Sequence, residues 1–461
     1  MSTVRAGALF AACLCLSNLA AQTTAEEALG ALRAGNARFV QDKSLSQTTD
    51  DATRRRLAQG QHPFAMVITC ADSRVPPEHV FDTAMGELFV IRVAGNVCDR
   101  EVLASMEYAV EHLDVSLGVV LGHEGCGAVK ACAEHSGSSD EHDAPSPAIT
   151  GLLRRIEPAL QRAKLAKSGS LMACAEEENV YETISECVRN SDKLRRRMQE
   201  GKFKLAPARY RLLTGAVEWL SERPLAGAAS MDASRLGRAP HDALQRLQDG
   251  HRRFLSAATP LGDISLARRR QLRSGQKPSA VVLTCADSRV APELLFDAGL
   301  GELFVVRVAG NVLNEDVVAS IEYAVAHTGA SLVLVLGHTH CGAVTAATTA
   351  GDHGHGDLGP NLDQLVADIA PAVQLAREGG VEGEMLIDRA IEFNVQMVLS
   401  GLRQQSKVVQ DLERTGRLAE IGAVYQLDTG GLKWLDTNER ATAAPQAAPP
   451  AAPPAGHGHG R

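Results

Sequence analysis

The sequence predicts an α/β fold made of two tandem copies of one domain, each a mostly parallel β-sheet with flanking helices. Three observations predict it. The hexapeptide Thr69-Cys70-Ala71-Asp72-Ser73-Arg74 returns 215 positions later as Thr284-Cys285-Ala286-Asp287-Ser288-Arg289, and over 65–97, 24 of 33 positions equal their partners over 280–312. The strand-like runs are short, β-branched and apolar without alternation, the pattern of strands buried on both faces and separated by helices. A chain of 461 residues exceeds one ordinary core and suits two domains of about 200 residues with appendages.

The first predicted element is a helix from Glu26 with Ala28, Leu29, Leu32 and Phe39 on one face, returning as Ala243, Leu244, Leu247 and Phe254. Strands follow at 64–69 and 88–93, then a helix at 101–113, a strand at 116–121, a long helical stretch, and a last strand at 208–213 to which 202–207 leads. The offset persists in Arg92-Val93-Ala94-Gly95-Asn96-Val97 against Arg307-Val308-Ala309-Gly310-Asn311-Val312, and in Glu107-Tyr108 against Glu322-Tyr323. Tyr108, Tyr323, Trp219 and Trp434 read as core, and Asn96 and Asn311, each after a glycine, as turn residues. The copies differ most at 136–146 and 351–356, both read as exposed loops.

Composition and the chain ends bound the rest. Hydrophobic residues make up 45%, charged residues 22%, and the formal net charge is -8, a soluble acidic balance with no basic stretch that would favour nucleic acid. Residues 1–21 read as a secretory signal: Arg5 gives a positive start, 6–16 an apolar run too short to span a bilayer, and 17–21 small residues for cleavage. This predicts a periplasmic or secreted protein with no membrane span. A lipid anchor on Cys13 or Cys15, or a cytoplasmic protein that keeps its first helix, are the alternatives. Repeat one is then 22–222, a linker 223–239, repeat two 240–438, and 439–461 a disordered Ala, Pro and His tail.

The chemistry lies at predicted strand ends. Cys70 is followed 53 residues later by His123 and three further on by Cys126; Cys285, His338 and Cys341 repeat the spacing. Two thiolates and a neutral imidazole fill three corners of a zinc tetrahedron and leave the fourth for water. Asp72 and Asp287 are the candidates to close that corner, each with an arginine two residues on, Arg74 and Arg289, suited to hold the carboxylate in a bidentate pair instead. Two thiolates also cancel the formal charge of the ion, so bound water should ionise at higher pH than in an all-histidine site and activity should rise on the alkaline side.

At these residues the chain resembles the β-class carbonic anhydrases, whose Cys-x-Asp-x-Arg and His-x-x-Cys patterns are matched by Cys70, Asp72, Arg74, His123 and Cys126, and again by Cys285, Asp287, Arg289, His338 and Cys341. The resemblance spans nearly all of both repeats. It implies one Zn2+ per repeat and hydration of carbon dioxide to bicarbonate and a proton by zinc-bound hydroxide, with Asp and Arg gating and orienting that hydroxide. It also implies that the repeats pair as an intrachain pseudo-dimer, leaving a further homodimer open. One departure stands out: many relatives carry a glutamine after the aspartate that aligns with Asp82, where this chain has Thr83 and, in the second copy, Ala298. The residue after the ligand histidine also differs, Glu124 against Thr339.

Two further expectations follow. Cys98, Cys132, Cys174 and Cys187 occur only in repeat one, opposite Leu313, Ala347, Arg389 and Leu402, and stand open between disulfides and free buried thiols. Besides a carbonic anhydrase, a hydrolase of carbon disulfide or carbonyl sulfide on the same scaffold and a non-catalytic zinc-binding sensor of inorganic carbon remain as readings. The sensor would have predicted loss of a ligand, Asp or Arg in one copy, and both copies are complete.

Overall fold

The computed structural model describes residues 25–45, 50–135, 145–166, 170–221, 262–353 and 359–435. The signal at 1–21, the linker at 223–239, the tail at 439–461, the second copy of the first helix at 243–254 and most of the two variable loops lie outside the described residues.

Repeat one runs α1 (Ala25–Val40), α2 (Asp51–Ala58), β1 (Ala65–Cys70), α3 (Pro77–Val80), β2 (Leu88–Val93), α4 (Arg100–His112), β3 (Leu117–His123), α5 (Gly127–His135), α6 (Pro147–Ala166), α7 (Leu171–Asn190), α8 (Asp192–Gln199), β4 (Lys204–Tyr210) and β5 (Val217–Trp219). Repeat two follows as α9 (Leu266–Leu272), β6 (Ala280–Thr284), α10 (Pro292–Leu295), β7 (Leu303–Arg307), α11 (Glu315–Tyr323), β8 (Leu332–His338), α12 (Gly342–His353), α13 (Pro360–Glu378), α14 (Glu384–Gln405), α15 (Lys407–Arg414), β9 (Ala419–Tyr425) and β10 (Leu432–Leu435). β1 to β4 are parallel, in the spatial order β2-β1-β3-β4, with β5 antiparallel at the edge. Every residue of β1, β2 and β3 is buried. Met66, Ile68, Phe89 and Ile91 enter one apolar cluster and Ala65, Val67, Leu88 and Val90 another on the opposite face, so the absence of alternation in the sequence has its physical cause.

The last strand starts earlier than the sequence suggests, at Lys204 rather than 208. Pro207 lies inside it, beside Val120 of β3. Its carbonyl accepts from Leu220 N–H at 3.0 Å just beyond the short edge strand β5. In a strand a residue's N and C=O point the same way, so the missing proline N–H faces that edge, where it forfeits only the reciprocal bond to Leu220 at the end of the β4–β5 pairing and none to β3.

The two five-stranded sheets meet as one ten-stranded sheet through β2 and β7, antiparallel at Arg92 and Arg307. Four backbone bonds run from one repeat into the hexapeptide loop of the other: Val305 N to Ala71 O at 3.1 Å, Gly301 N to Ser73 O at 2.8 Å, Val90 N to Ala286 O at 3.1 Å and Gly86 N to Ser288 O at 2.7 Å. Helices cross too, α6 packing on α11 and α13 on α4. Leu57 of α2 packs in the apolar cluster of repeat two, and Leu272 of α9 in that of repeat one. Arg92, with no exposed surface, donates to Cys70 O and Asp72 O and pairs with Glu293 of repeat two at 2.5 Å; Arg307 does the same to Cys285 O and Asp287 O and pairs with Glu78 at 2.6 Å.

Candidate metal centre

Parallel β1 and β3 are neighbours, so their carboxyl ends, Cys70 and His123, emerge side by side, and the turn after His123 brings Cys126 back at the start of α5. The donor atoms of Cys70, His123 and Cys126 lie within 4.8 Å of one another and are buried, as are those of Cys285, His338 and Cys341. The Cys70 and Cys126 sulfurs are 4.0 Å apart, close to the roughly 3.8 Å expected of two sulfurs sharing one tetrahedral zinc. Each imidazole Nδ1 faces a backbone carbonyl at 3.0 Å, Glu124 O or Thr339 O, which fixes the proton there and leaves Nε2 a lone pair. That Nε2 is buried without a hydrogen bond in both repeats. A buried orphan nitrogen beside two sulfurs is a donor set that zinc satisfies.

The glycine of each Ala-Gly-Asn turn is part of the set. Gly95, at φ +68°, and Gly310, at φ +67°, point their N–H groups at Cys70 Sγ (3.2 Å) and Cys285 Sγ (3.3 Å), a conformation that costs glycine nothing. Hydrogen bonds of this kind favour thiolate. Within each pair the sulfurs share their protons unequally. Burial pushes Cys70 up, but the Cys126 thiol and His123 bring it well below the ordinary value, while Cys70 and then burial push Cys126 well above it. In repeat two the low member is Cys341, drawn down first by Cys285, which is itself pushed up by Cys341.

Asp72 is gripped by Arg74 through backbone N to Oδ1 at 2.9 Å, Nε to Oδ1 at 2.9 Å and Nη2 to Oδ2 at 2.7 Å; Asp287 and Arg289 repeat the three bonds at the same distances. Burial works against the charge, yet Arg74 and then His123 hold the Asp72 carboxyl down at about 2, and Asp287 is lowered from the usual range with Arg289 as its first support. The Asp72 Oδ2 lies 3.9 Å from His123 Nε2. The arginine therefore holds the carboxylate next to the metal centre.

The sequence reading missed residues that arrive from the opposite repeat. Gln276 Nε2 donates to Asp72 Oδ2 at 2.7 Å while its Oε1 accepts from Ser73 N and Oγ at 2.9 and 2.6 Å. Gln61 does the same for Asp287 at 2.7 Å and Ser288 at 3.0 and 2.8 Å. The glutamine absent after Asp82 thus has counterparts elsewhere, and a signal existed: Gly60-Gln61-His62-Pro63 and Gly275-Gln276-Lys277-Pro278 obey the 215 offset. The core assignment of the tyrosines needs extending as well. Tyr323 packs on Phe304, but its hydroxyl lies where a Cβ on Gly127 of repeat one would meet it at 1.7 Å; Tyr108 packs on Phe89 and stands 2.0 Å from a Cβ on Gly342. Glycine at the first residue of α5 and α12 is what lets each ring reach the other repeat's centre. Burial first, and the nearby Asp72 second, raise the Tyr323 hydroxyl above its ordinary value. Trp219 and Trp434 are only half-buried, and the turn expected at Asn96 and Asn311 is present, at φ +46° and +45°.

The two centres differ in what stands behind them. In repeat one Gly125 N donates to Glu176 Oε1 at 2.7 Å, and Glu176 pairs with Arg209 at 2.5 Å; repeat two has Ile391 and Val424 at those positions and the exposed His340 in place of Gly125. Thr339 ties its hydroxyl to Leu427 N at 3.0 Å, where repeat one offers the half-buried Glu124.

An α/β sheet carrying a buried Cys2His donor set and an adjacent Asp–Arg pair in each half defines a duplicated zinc-site protein. The family model described as carbonic anhydrase matches residues 65–217 and 280–432. Carbonic anhydrase 2 of Mycobacterium tuberculosis is 40% identical over 191 residues, 41% of this chain and 90% of its own length, and the carbonic anhydrase of Pseudomonas aeruginosa is 36% identical over 206 residues, 42% of this chain and 87% of its own. Among solved structures, the β-carbonic anhydrase CcaA aligns with 29% identity, 45% of this chain, 93% of its own and a TM-score of 0.36. The chain belongs to the carbonic anhydrases, the zinc-dependent lyases of carbon dioxide hydration, as a tandem duplication with the β-class residue pattern complete in both copies.

Proposed function

We propose that each chain carries two working sites, one zinc ion held by Cys70, His123 and Cys126 and a second by Cys285, His338 and Cys341, and that each hydrates carbon dioxide reversibly to bicarbonate and a proton. The observation that carries this is the convergence, twice, of two sulfurs and an orphan Nε2 within 4.8 Å. When bound, zinc supplies the Lewis acid that makes water acidic enough to attack carbon dioxide near neutral pH.

The chain's own residues do the rest. Arg74 and Gln276 occupy Asp72 so that it stays ionised and off the fourth metal corner, its carboxylate placed to accept a hydrogen bond from the attacking water and aim its lone pair; Arg289 and Gln61 do this for Asp287. Buried walls from β1, β3 and the opposite repeat exclude bulk water and suit an apolar linear substrate. The bonds crossing between repeats support an intrachain pair in which each site is finished by the other half.

Zinc counted per chain, together with stopped-flow carbon dioxide hydration from roughly pH 6.5 to 9, tests the reading on the parent, Cys70→Ala, Cys285→Ala and the double variant. Two zincs in the parent, one in each single variant, and activity abolished only in the double variant are expected, with rates rising on the alkaline side. Two bound zincs without hydration would overturn it. For location we propose export, supported by the composition of 1–21 alone; amino-terminal sequencing of the protein recovered from periplasm and from cytoplasm decides it.

A further inference from the structure

Two of the four cysteines peculiar to repeat one are brought together. Cys98 follows the Ala-Gly-Asn turn and Cys187 sits near the end of α7; 89 residues apart in sequence, their sulfurs stand 3.0 Å apart, both buried and both thiols. Closing to a disulfide of about 2.05 Å needs a movement of about 1 Å. Neither remaining cysteine shares this arrangement: Cys132 donates to Leu153 O at 3.4 Å and Cys174 lies half-buried in the first turn of α7. Repeat two has Leu313 and Leu402 at the paired positions, Leu402 in the apolar core and Leu313 partly buried against it. Two apolar side chains in one copy are thus replaced by a matched pair of thiols in the other.

A cavity of about 160 Å³ leads to one of the two sulfurs. It is lined by Val97, Cys98, Arg154, Arg155, Glu182 and Glu186 among others, and its mixed charges suit a small zwitterionic peptide. We propose that Cys98 and Cys187 are a reversible oxidation site that forms a disulfide by exchange with a small peptide disulfide entering this cavity. In the first step the Cys98 thiolate attacks one sulfur of the peptide disulfide, forming a mixed disulfide and expelling one peptide thiolate. In the second the Cys187 sulfur attacks Cys98 Sγ and expels the other. The two thiol protons end on the two peptide thiols, so one disulfide is reduced as one is formed and no further oxidant is needed.

The bond falls where it ties the metal loop to its support. Asn179 and Thr183 of α7 already hold Gly95 O at 2.7 Å and Asn96 O at 2.9 Å, and Gly95 is the residue whose N–H reaches Cys70 Sγ. Oxidation adds a covalent tie one helical turn further along the same face, in repeat one and not in repeat two. Burial first and the Cys187 sulfur second hold the Cys98 thiol well above its ordinary value, so exchange quickens as pH rises.

The test uses the full zinc-loaded chain in glutathione buffers from fully reduced to fully oxidised, at about pH 8.5, followed by alkylation under denaturing conditions and non-reducing peptide mapping. The expected result is a loss of two alkylatable thiols, a peptide linking residues 98 and 187, full reversal by reduced glutathione, and a melting temperature raised by roughly 3–10 °C in the oxidised form. The variant Cys98→Leu with Cys187→Leu, which copies repeat two and so keeps the core filled, should show none of these changes. Both cysteines remaining alkylatable in the most oxidising buffer, a stable mixed disulfide of Cys98 with glutathione, or a link through Cys132 or Cys174 would each overturn the proposal.

Discussion

Replacing Gln61 by alanine should cripple the metal centre of the repeat in which Gln61 does not lie. Its amide bonds Asp287 Oδ2 and accepts from the Ser288 N–H and hydroxyl, and it is 8% exposed, so water replaces it poorly. A hydrogen bond to a charged group contributes about 1.5–3 kcal/mol, and stranding the buried Ser288 N–H costs about 1–3 kcal/mol more. Arg289 still holds Asp287 through three bonds, so part of that loss is borne by the fold. If about 2 kcal/mol reaches the transition state, the rate falls roughly 30-fold. The assay is stopped-flow hydration in single-site backgrounds. With Cys70→Ala, where only the Cys285 centre works, Gln61→Ala should lose roughly 30-fold; with Cys285→Ala it should change the rate less than about twofold. Loss confined to the Cys285→Ala background, or in neither, would refute the crossed arrangement. Gln276→Ala should give the mirror result.

Three other perturbations follow from the same contacts. Glu293→Ala leaves the fully buried Arg92 guanidinium without its partner and should cost about 3–5 kcal/mol in denaturant unfolding, with loss of zinc from repeat one before repeat two because Arg92 holds the Cys70 and Asp72 carbonyls. Gly127→Ala drives a methyl into the Tyr323 hydroxyl; overpacking of about 1–3 kcal/mol should appear in urea melts, with a slower Cys70 centre in the Cys285→Ala background. Asp316 is pushed up to about 8, by burial and by Asp99, with Arg155 only partly opposing. It keeps its proton in the fold at pH values where the unfolded chain has lost it, so the folded state binds more protons and stability falls as pH rises from about 4 to 8. Asp316→Asn should flatten that slope in melting temperatures compared at about pH 5 and 8.

The parts of the molecule legible in the sequence are those that local chemistry encodes. β1 and β3 read as buried strands because both their faces are covered, and the ligand set reads as zinc because its residue types and strand-end positions recur together. The strand around Pro207 was misplaced because proline normally ends a strand; only the position of β5 reveals that its nitrogen faces the short edge strand, at the end of the pairing, and not β3. Gln61 and Gln276 recur at the 215 offset, but what they touch, like the reach of Tyr108 and Tyr323, was hidden for a different reason. Each acts between 196 and 234 residues from its own place in the chain, and no periodicity within a repeat carries information about the surface of the other. The pairing of Cys98 with Cys187 needed the fold as well, since four cysteines allow three connectivities.

The ten-stranded sheet changes what a map of this gene would look like. In an ordinary tandem protein, lesions that silence one site gather in one half of the sequence, and deleting that half spares the other. Here residues serving the Cys285 centre are interleaved with the first half, at Gln61, Glu78 and Tyr108, and those serving the Cys70 centre with the second, at Gln276, Glu293 and Tyr323. A truncation after the first repeat would therefore leave no complete centre, and a complementation experiment with two damaged full-length alleles would sort mutations by the site they face, whichever copy they were inherited in.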